Sequence, residues 1–151
     1  MGNALFYHLT RSPAESLVPV LIGKALSAGW RVELRGADPA RMERLDQHLW
    51  QGDGFLPHGL AGGPHDARQP VLLTVAGRHG PAANAAACLL ALDGAPVEPA
   101  ECEGLQRACI IFDGGDSSAT GHAREQWRQL TSAGVSAEYW SEESGRWERK
   151  R

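Results

Sequence analysis

Apolar residues in this chain switch repeatedly between strand spacing and helix spacing, and that alternation restricts the fold more than any other feature. Ala4 to Leu9 is a continuous strand-like run. Leu17, Val18, Leu21, Ile22, Ala25 and Leu26 then recur at the three- and four-residue steps that line one face of a helix, up to Gly29. Arg31-Val32-Glu33-Leu34-Arg35 alternates as a second strand. A strand, a helix and a strand in this order form a parallel pair joined by a crossover, which predicts an α/β sheet with helices on both faces.

The same order continues. Asp38-Pro39 reads as a cap and first turn for a second helix whose apolar face is Met42, Leu45, Leu49 and Trp50. Val71 to Val75, Ala86 to Leu92 and Ala108 to Phe112 read as three further strands. Ala123 to Gly134 reads as a helix, and Val135 to Trp140 as a last strand followed by a charged tail over 142–151. Ser12-Pro13-Ala14-Glu15 has the form of a capping box at the start of the first helix. Pro19 inside that helix predicts either a start one turn later or a kink. Residues 51–70, rich in glycine and proline, read as a long loop interrupted by Phe55-Leu56-Pro57-His58. With 151 residues, no internal repeat and no low-complexity linker, the chain is expected to form a single domain: a Rossmann-like, mostly parallel twisted sheet.

Charge and composition narrow the function. A net charge of −3 does not suit a protein that coats nucleic acid, because such affinity comes from many Lys and Arg neutralising phosphates, so contact with nucleic acid is expected to be indirect. No apolar run approaches the roughly 20 residues of a membrane span, and no signal peptide is evident, so the expected place is the cytosol, without membrane. Cys88, Cys102 and Cys109 match neither a zinc knuckle nor a redox pair, and are expected to be reduced.

A Rossmann-like sheet commonly serves nucleotide chemistry, yet neither a phosphate loop nor a G-x-G-x-x-G follows the first strand, where the turn is Thr10-Arg11-Ser12-Pro13. The six histidines are scattered without a metal-binding pair. Asp113 and Asp116 have two readings: a Mg²⁺ site, or a polar turn capping the next helix. No catalytic constellation, metal site or cofactor site emerges, and a noncatalytic protein-binding domain fits better than a nucleotide enzyme.

Two places could bind proteins. On the helix from Ala123, residues Ala123, Trp127 and Leu130 share one stripe, and Arg124 and Arg128, four apart, stack beside Trp127. Such a ledge can hold an acidic, aromatic-ended peptide, or it can be the solvated flank of an ordinary surface helix. Trp50 and Phe55, with Leu56 and Pro57, can form an apolar surface for a partner, or fold back over the core.

Over nearly its whole length the chain resembles the chi subunit of bacterial DNA polymerase III. The resemblance rests on Asn3-Ala4-Leu5-Phe6-Tyr7, Gly29-Trp30-Arg31-Val32, Arg44-Leu45-Asp46, and Leu49-Trp50 followed by Phe55-Leu56-Pro57-His58-Gly59-Leu60-Ala61-Gly62. Pro70-Val71, the Ala123-Arg124-Glu125 helix and Trp147 add to it. It implies a noncatalytic accessory subunit that ties the clamp-loader complex to single-stranded DNA-binding protein by holding that protein's acidic C-terminal tail, which ends in Asp and Ile-Pro-Phe. The family's basic positions fall on Arg124 and Arg128, with Trp127 between them. A second family surface, matched by Trp50, Phe55, Leu56 and Pro57, implies binding of the psi subunit or another clamp-loader component, or of an XPD-type helicase. The chain departs from the family pattern after Gly62, from Arg78 to Glu103 and in its charged tail, so a psi partner does not follow from the resemblance alone. A nucleotide-binding enzyme and a helicase-binding repair adaptor outside the replisome remain as alternatives.

Overall fold

The computed structural model describes residues 3–51, 56–78 and 82–151. Its strands are β1 (Asn3–Leu9), β2 (Val32–Gly36), β3 (Gly59–Leu60), β4 (Val71–Val75), β5 (Cys88–Leu92), β6 (Arg107–Asp113), β7 (Ala137–Ser141) and β8 (Glu148–Arg149). The helices are α1 (Ala14–Ser27), α2 (Pro39–Trp50), α3 (Pro99–Glu103) and α4 (Ser117–Ser132). One sheet holds all the strands in the order β3-β4-β2-β5-β6-β1-β7-β8. Every neighbouring pair is parallel except β7 and β8. The expected Rossmann-like sheet is what the chain forms.

Alternation along the central strands builds two apolar layers. Leu5, Tyr7 and Leu9 of β1 pack with Val18, Ile22, Leu45 and Leu49 of α1 and α2. Ala4 and Phe6, pointing the other way, pack with Cys102 of α3 and Ala123 and Leu130 of α4. Strands buried on both faces read as near-continuous apolar runs, which is why Val71–Val75 and Cys88–Leu92 stood out in the sequence.

Several local expectations hold. Asp38 accepts from Ala40 N at 3.2 Å and opens α2. Gly29, at φ +84°, ends α1 in a left-handed turn in which Trp30 N donates to Ala25 O at 3.0 Å. Asp116 caps α4 by accepting from Ser118 N and Ala119 N at 2.9 and 3.3 Å, as the capping reading of the Asp113–Asp116 turn expects.

Others are corrected. The capping box at Ser12 does not form: α1 starts at Ala14, and the Ser12 hydroxyl donates to Glu142 at 2.9 Å. Of the two readings of Pro19, the later start does not hold, since α1 runs from Ala14 to Ser27 with Pro19 inside it. Its missing N–H falls near the start of the helix, where a single bond is lost. Trp50 does not join the buried face of α2; it is 49% exposed, whereas Met42, Leu45 and Leu49 are buried. The sequence reading also missed α3, a single short helix, and the pairing of the charged tail as β8.

Candidate functional site

Between α4 and the β7–β8 hairpin lies a cleft of about 500 Å³. Its position follows from how α4 is fixed. Ala123 and Leu130 anchor the helix in the apolar layer, and buried Gln126 exchanges two hydrogen bonds with the main chain of Val97, at 3.0 and 2.7 Å. Trp127, one residue on, is half-buried and stands edge-on to Phe6, ring centroids 5.2 Å apart. Tyr139 of β7 faces Trp127 at 6.3 Å, and Phe6, Phe112, Trp127 and Tyr139 line the cleft together.

The rim is cationic. Arg124 and Arg128 come from α4, and Lys150 and Arg151 arrive on the segment that follows β8. Arg151 lies over the Trp127 ring at 5.8 Å, and Arg128 pairs with Glu125 at 3.1 Å in an exposed i,i+3 contact. Among the described residues no Asp or Glu side chain lines the cleft. At its inner end His8 stacks on Phe112 at 5.0 Å and is in hydrogen-bond contact with Tyr139 Oη. Gly114 makes this possible, because a Cβ there would fall inside the His8 ring. Burial pushes the Tyr139 phenol up, the Glu143 charge adds to this and Arg124 opposes it.

The second predicted surface is only partly assembled. Trp50 sits at the end of α2 with its ring 4.2 Å from that of His58. His58 is buried and bonded through Nδ1 to Leu56 O at 2.7 Å, and its Nε2 lies 3.2 Å from an Asp46 carboxylate oxygen. Burial pushes the Asp46 carboxyl up, against the opposing influence of His58. Leu56 packs onto the apolar layer beneath α1 and α2, and Pro57 is half-buried. Phe55 lies outside the described residues. Trp50 and Leu60 are the large apolar groups left exposed on this side among the described residues.

Among the described residues no group of three or more His, Cys, Asp or Glu side chains is arranged to hold a metal ion. All three cysteines are free and buried, Cys88 and Cys109 in adjacent strands. No helix of the described residues is long and apolar enough to cross a membrane.

Residues 1–138 match the family described as DNA polymerase III chi subunit, HolC. The chain belongs to this family. The chi family is one of accessory subunits of the polymerase assembly, so the resemblance seen at Leu49-Trp50 and Phe55 to Gly62 identified the right relatives. No curated protein matches the chain.

The matched span ends just inside β7, before Tyr139. Of the cleft, Arg124, Trp127 and Arg128 therefore lie within the chi-family match, whereas Tyr139, Lys150 and Arg151 lie beyond it. Sequence reasoning missed those three. The available signal was Ser144-Gly145 between Tyr139-Trp140 and Glu148-Arg149, a turn that folds the charged tail back as a hairpin, with Gly145 at φ +96°.

Proposed function

We propose that this chain acts as one noncatalytic unit in the cytoplasm, gripping the acidic, aromatic-ended tail of single-stranded DNA-binding protein in the cleft beside α4 and so tethering the clamp-loader complex to coated template. One observation carries the reading: four cationic side chains rim an aromatic-floored cleft that, among the described residues, no Asp or Glu side chain lines, on a chain whose net charge is −3. The chain as a whole repels an acidic peptide. Screening over roughly 8 Å at physiological ionic strength lets the local rim decide the encounter. The aromatic walls suit a terminal Phe, and a guanidinium suits its carboxylate in bidentate geometry.

Tethering needs no tight contact. A link of about −8 kcal/mol, micromolar in affinity, raises the effective concentration of the polymerase at coated template and still releases as synthesis moves on. The other end of the tether is the side carrying Trp50, with Phe55, Leu56 and Pro57. It would hold the psi subunit, another clamp-loader component or an XPD-type helicase. Exposed Trp50 and Leu60 support a contact there, and inward-packed Leu56 supports it less.

Titration calorimetry with a peptide ending in Asp-Asp-Ile-Pro-Phe tests the first contact. Micromolar binding that each of Arg124→Ala and Arg128→Ala weakens about ten- to a hundredfold is expected, and no binding by the folded wild-type chain overturns the reading. Co-purification from native lysate, comparing wild type with Trp50→Ala, tests the second.

A further inference from the structure

Glu142, the residue after β7, is 4% exposed and places its carboxylate in the turn between β1 and α1. Oε1 accepts from three consecutive backbone N–H groups, those of Thr10, Arg11 and Ser12, at 3.0, 2.8 and 2.7 Å. Oε2 accepts from the Ser12 hydroxyl at 2.9 Å. Converging N–H groups at the start of a helix form an anion cradle, and in α/β sheets that use nucleotides the first strand-to-helix turn is where phosphate sits. Here the three N–H groups of this turn, just ahead of α1, are occupied by the chain's own carboxylate.

The junction is held twice. Arg11 donates back to Glu143 O through Nε and Nη2, at 3.3 and 3.0 Å. Directly afterwards Gly145 N donates to Glu142 O at 2.9 Å and starts the turn into β8. The returning strand pairs Glu148 with Ser141 and Arg149 with Trp140, and Lys150 N donates to Tyr139 O at 2.6 Å. The returning arm of the hairpin thus starts at Glu142 and leads to Lys150 and Arg151, the two rim cations that do not come from α4. Residues 142–151 all lie beyond the span that matches the chi family.

We propose that Glu142 is a positioning residue: its carboxylate fills the anion cradle at the start of α1, where a nucleotide-binding relative of this architecture would hold phosphate, and thereby fastens the hairpin that delivers Lys150 and Arg151 to the peptide cleft. The part concerning the cleft rests on the peptide-binding reading above. In this arrangement the Ser12 hydroxyl points to Glu142 and Pro13 takes the N-cap position, so Ser12 does not cap α1.

The test uses the full chain as wild type, Glu142→Ala, Glu142→Gln and the double variant Lys150→Ala/Arg151→Ala with and without Glu142→Ala. Amide hydrogen exchange is expected to speed up at least tenfold at Arg11, Ser12 and Lys150 in Glu142→Ala, while α4 amides stay protected. Glu142→Gln, which keeps an acceptor oxygen, should recover much of the protection. Peptide affinity should fall about fivefold in Glu142→Ala, as expected for two exposed cationic contacts. It should fall no further when that change is added to the double variant, because both delete the same wall. Unchanged exchange at Lys150 overturns the inference, and so does an affinity loss that adds fully to that of the double variant. Should the wild type not bind peptide, the functional reading fails, and the exchange data still decide the role of Glu142. Should Glu142→Ala not fold, Glu142→Asp, whose carboxylate is one methylene too short to meet all three N–H groups, is read in the same exchange experiment.

Discussion

Gln126 and Val97 are joined by a closed pair of hydrogen bonds, Val97 N to Gln126 Oε1 at 3.0 Å and Gln126 Nε2 to Val97 O at 2.7 Å, inside the layer between α4 and the sheet. This pair sets the rotation of α4, so that Trp127 turns toward Phe6 and Arg124 and Arg128 line the cleft mouth. Gln126→Leu leaves both main-chain groups of Val97 buried without partners. At about 1 to 3 kcal/mol for each such group, a loss of roughly 2 kcal/mol or more is expected in urea unfolding. A smaller loss would mean that water reaches Val97 and that α4 is held by its apolar contacts alone.

Arg35 is the corresponding fixture on the β2 side. It bonds to Glu33 at 2.9 and 3.1 Å and to Glu101 at 2.6 and 3.1 Å, and Thr74 Oγ1 donates to the same Glu33 at 2.7 Å. Glu101 is pulled two ways: burial pushes its carboxyl up, and the bonds from Arg35 and Glu98 N outweigh this and hold it low. Removing the shared cation strands Glu33, which is 7% exposed. Arg35→Met is therefore expected to lose about 3 to 5 kcal/mol in denaturant unfolding, and the further change Glu33→Leu should return part of it.

Acid sensitivity should trace in part to Glu142. Burial pushes this carboxyl up, but the donations from Ser12, Arg11 and Thr10 prevail and hold it below the ordinary carboxylate range. A group with a folded pKa below its unfolded value stabilises the fold above the unfolded pKa. That contribution fades as the pH falls through the folded value. Wild-type stability should thus decline toward low pH more steeply than that of Glu142→Gln, and the two curves should converge in acid. Parallel curves would show that the carboxylate is not charged in its cradle.

Trp50 is half exposed at the end of α2, with its ring over His58 at 4.2 Å. Trp50→Ala should cost the fold about 1 kcal/mol for the lost ring contact with His58. If the side holding Trp50 faces a clamp-loader component, the same change should abolish co-purification of that component from native lysate. A folded Trp50→Ala chain that retains all its partners would give Trp50 a role in the fold alone.

Legibility in the sequence followed the range of the interaction concerned. Asp38, Gly29 and Asp116 act on their own helix ends, so caps and stops were readable, and two-sided burial made Val71–Val75 and Cys88–Leu92 plain as strands. Ser12 misled because a carboxylate 130 residues later takes its hydroxyl, and no local pattern carries such a partner. Trp50 fits the helical period of α2, yet the helix ends there and the ring turns outward over His58. Half of the candidate cleft was legible, the half on α4, where Arg124, Trp127 and Arg128 share one face. The other half needed the fold of the hairpin to bring Tyr139, Lys150 and Arg151 across from β7 and β8.

Arg124→Ala and Arg128→Ala bear most directly on the proposed function. Both side chains are exposed on the outer flank of α4, and the only ion pair of Arg128 among the described residues is the exposed one with Glu125, so neither change should disturb the fold. Losing one charged hydrogen-bond partner costs roughly 1.5 to 3 kcal/mol, which corresponds to a drop of about ten- to a hundredfold in affinity for a peptide ending in Asp-Asp-Ile-Pro-Phe. Amidating the terminal carboxylate should produce a loss that does not add to that of whichever arginine contacts it, because the two changes delete the same interaction. Raised salt should weaken binding without abolishing it, since the Phe ring still meets Phe6, Trp127 and Tyr139. Titration calorimetry across wild type, both variants and the amidated peptide separates the outcomes: equal affinities in all four would reduce the basic rim to a solvated helix flank and place the peptide, if it binds, elsewhere on the chain.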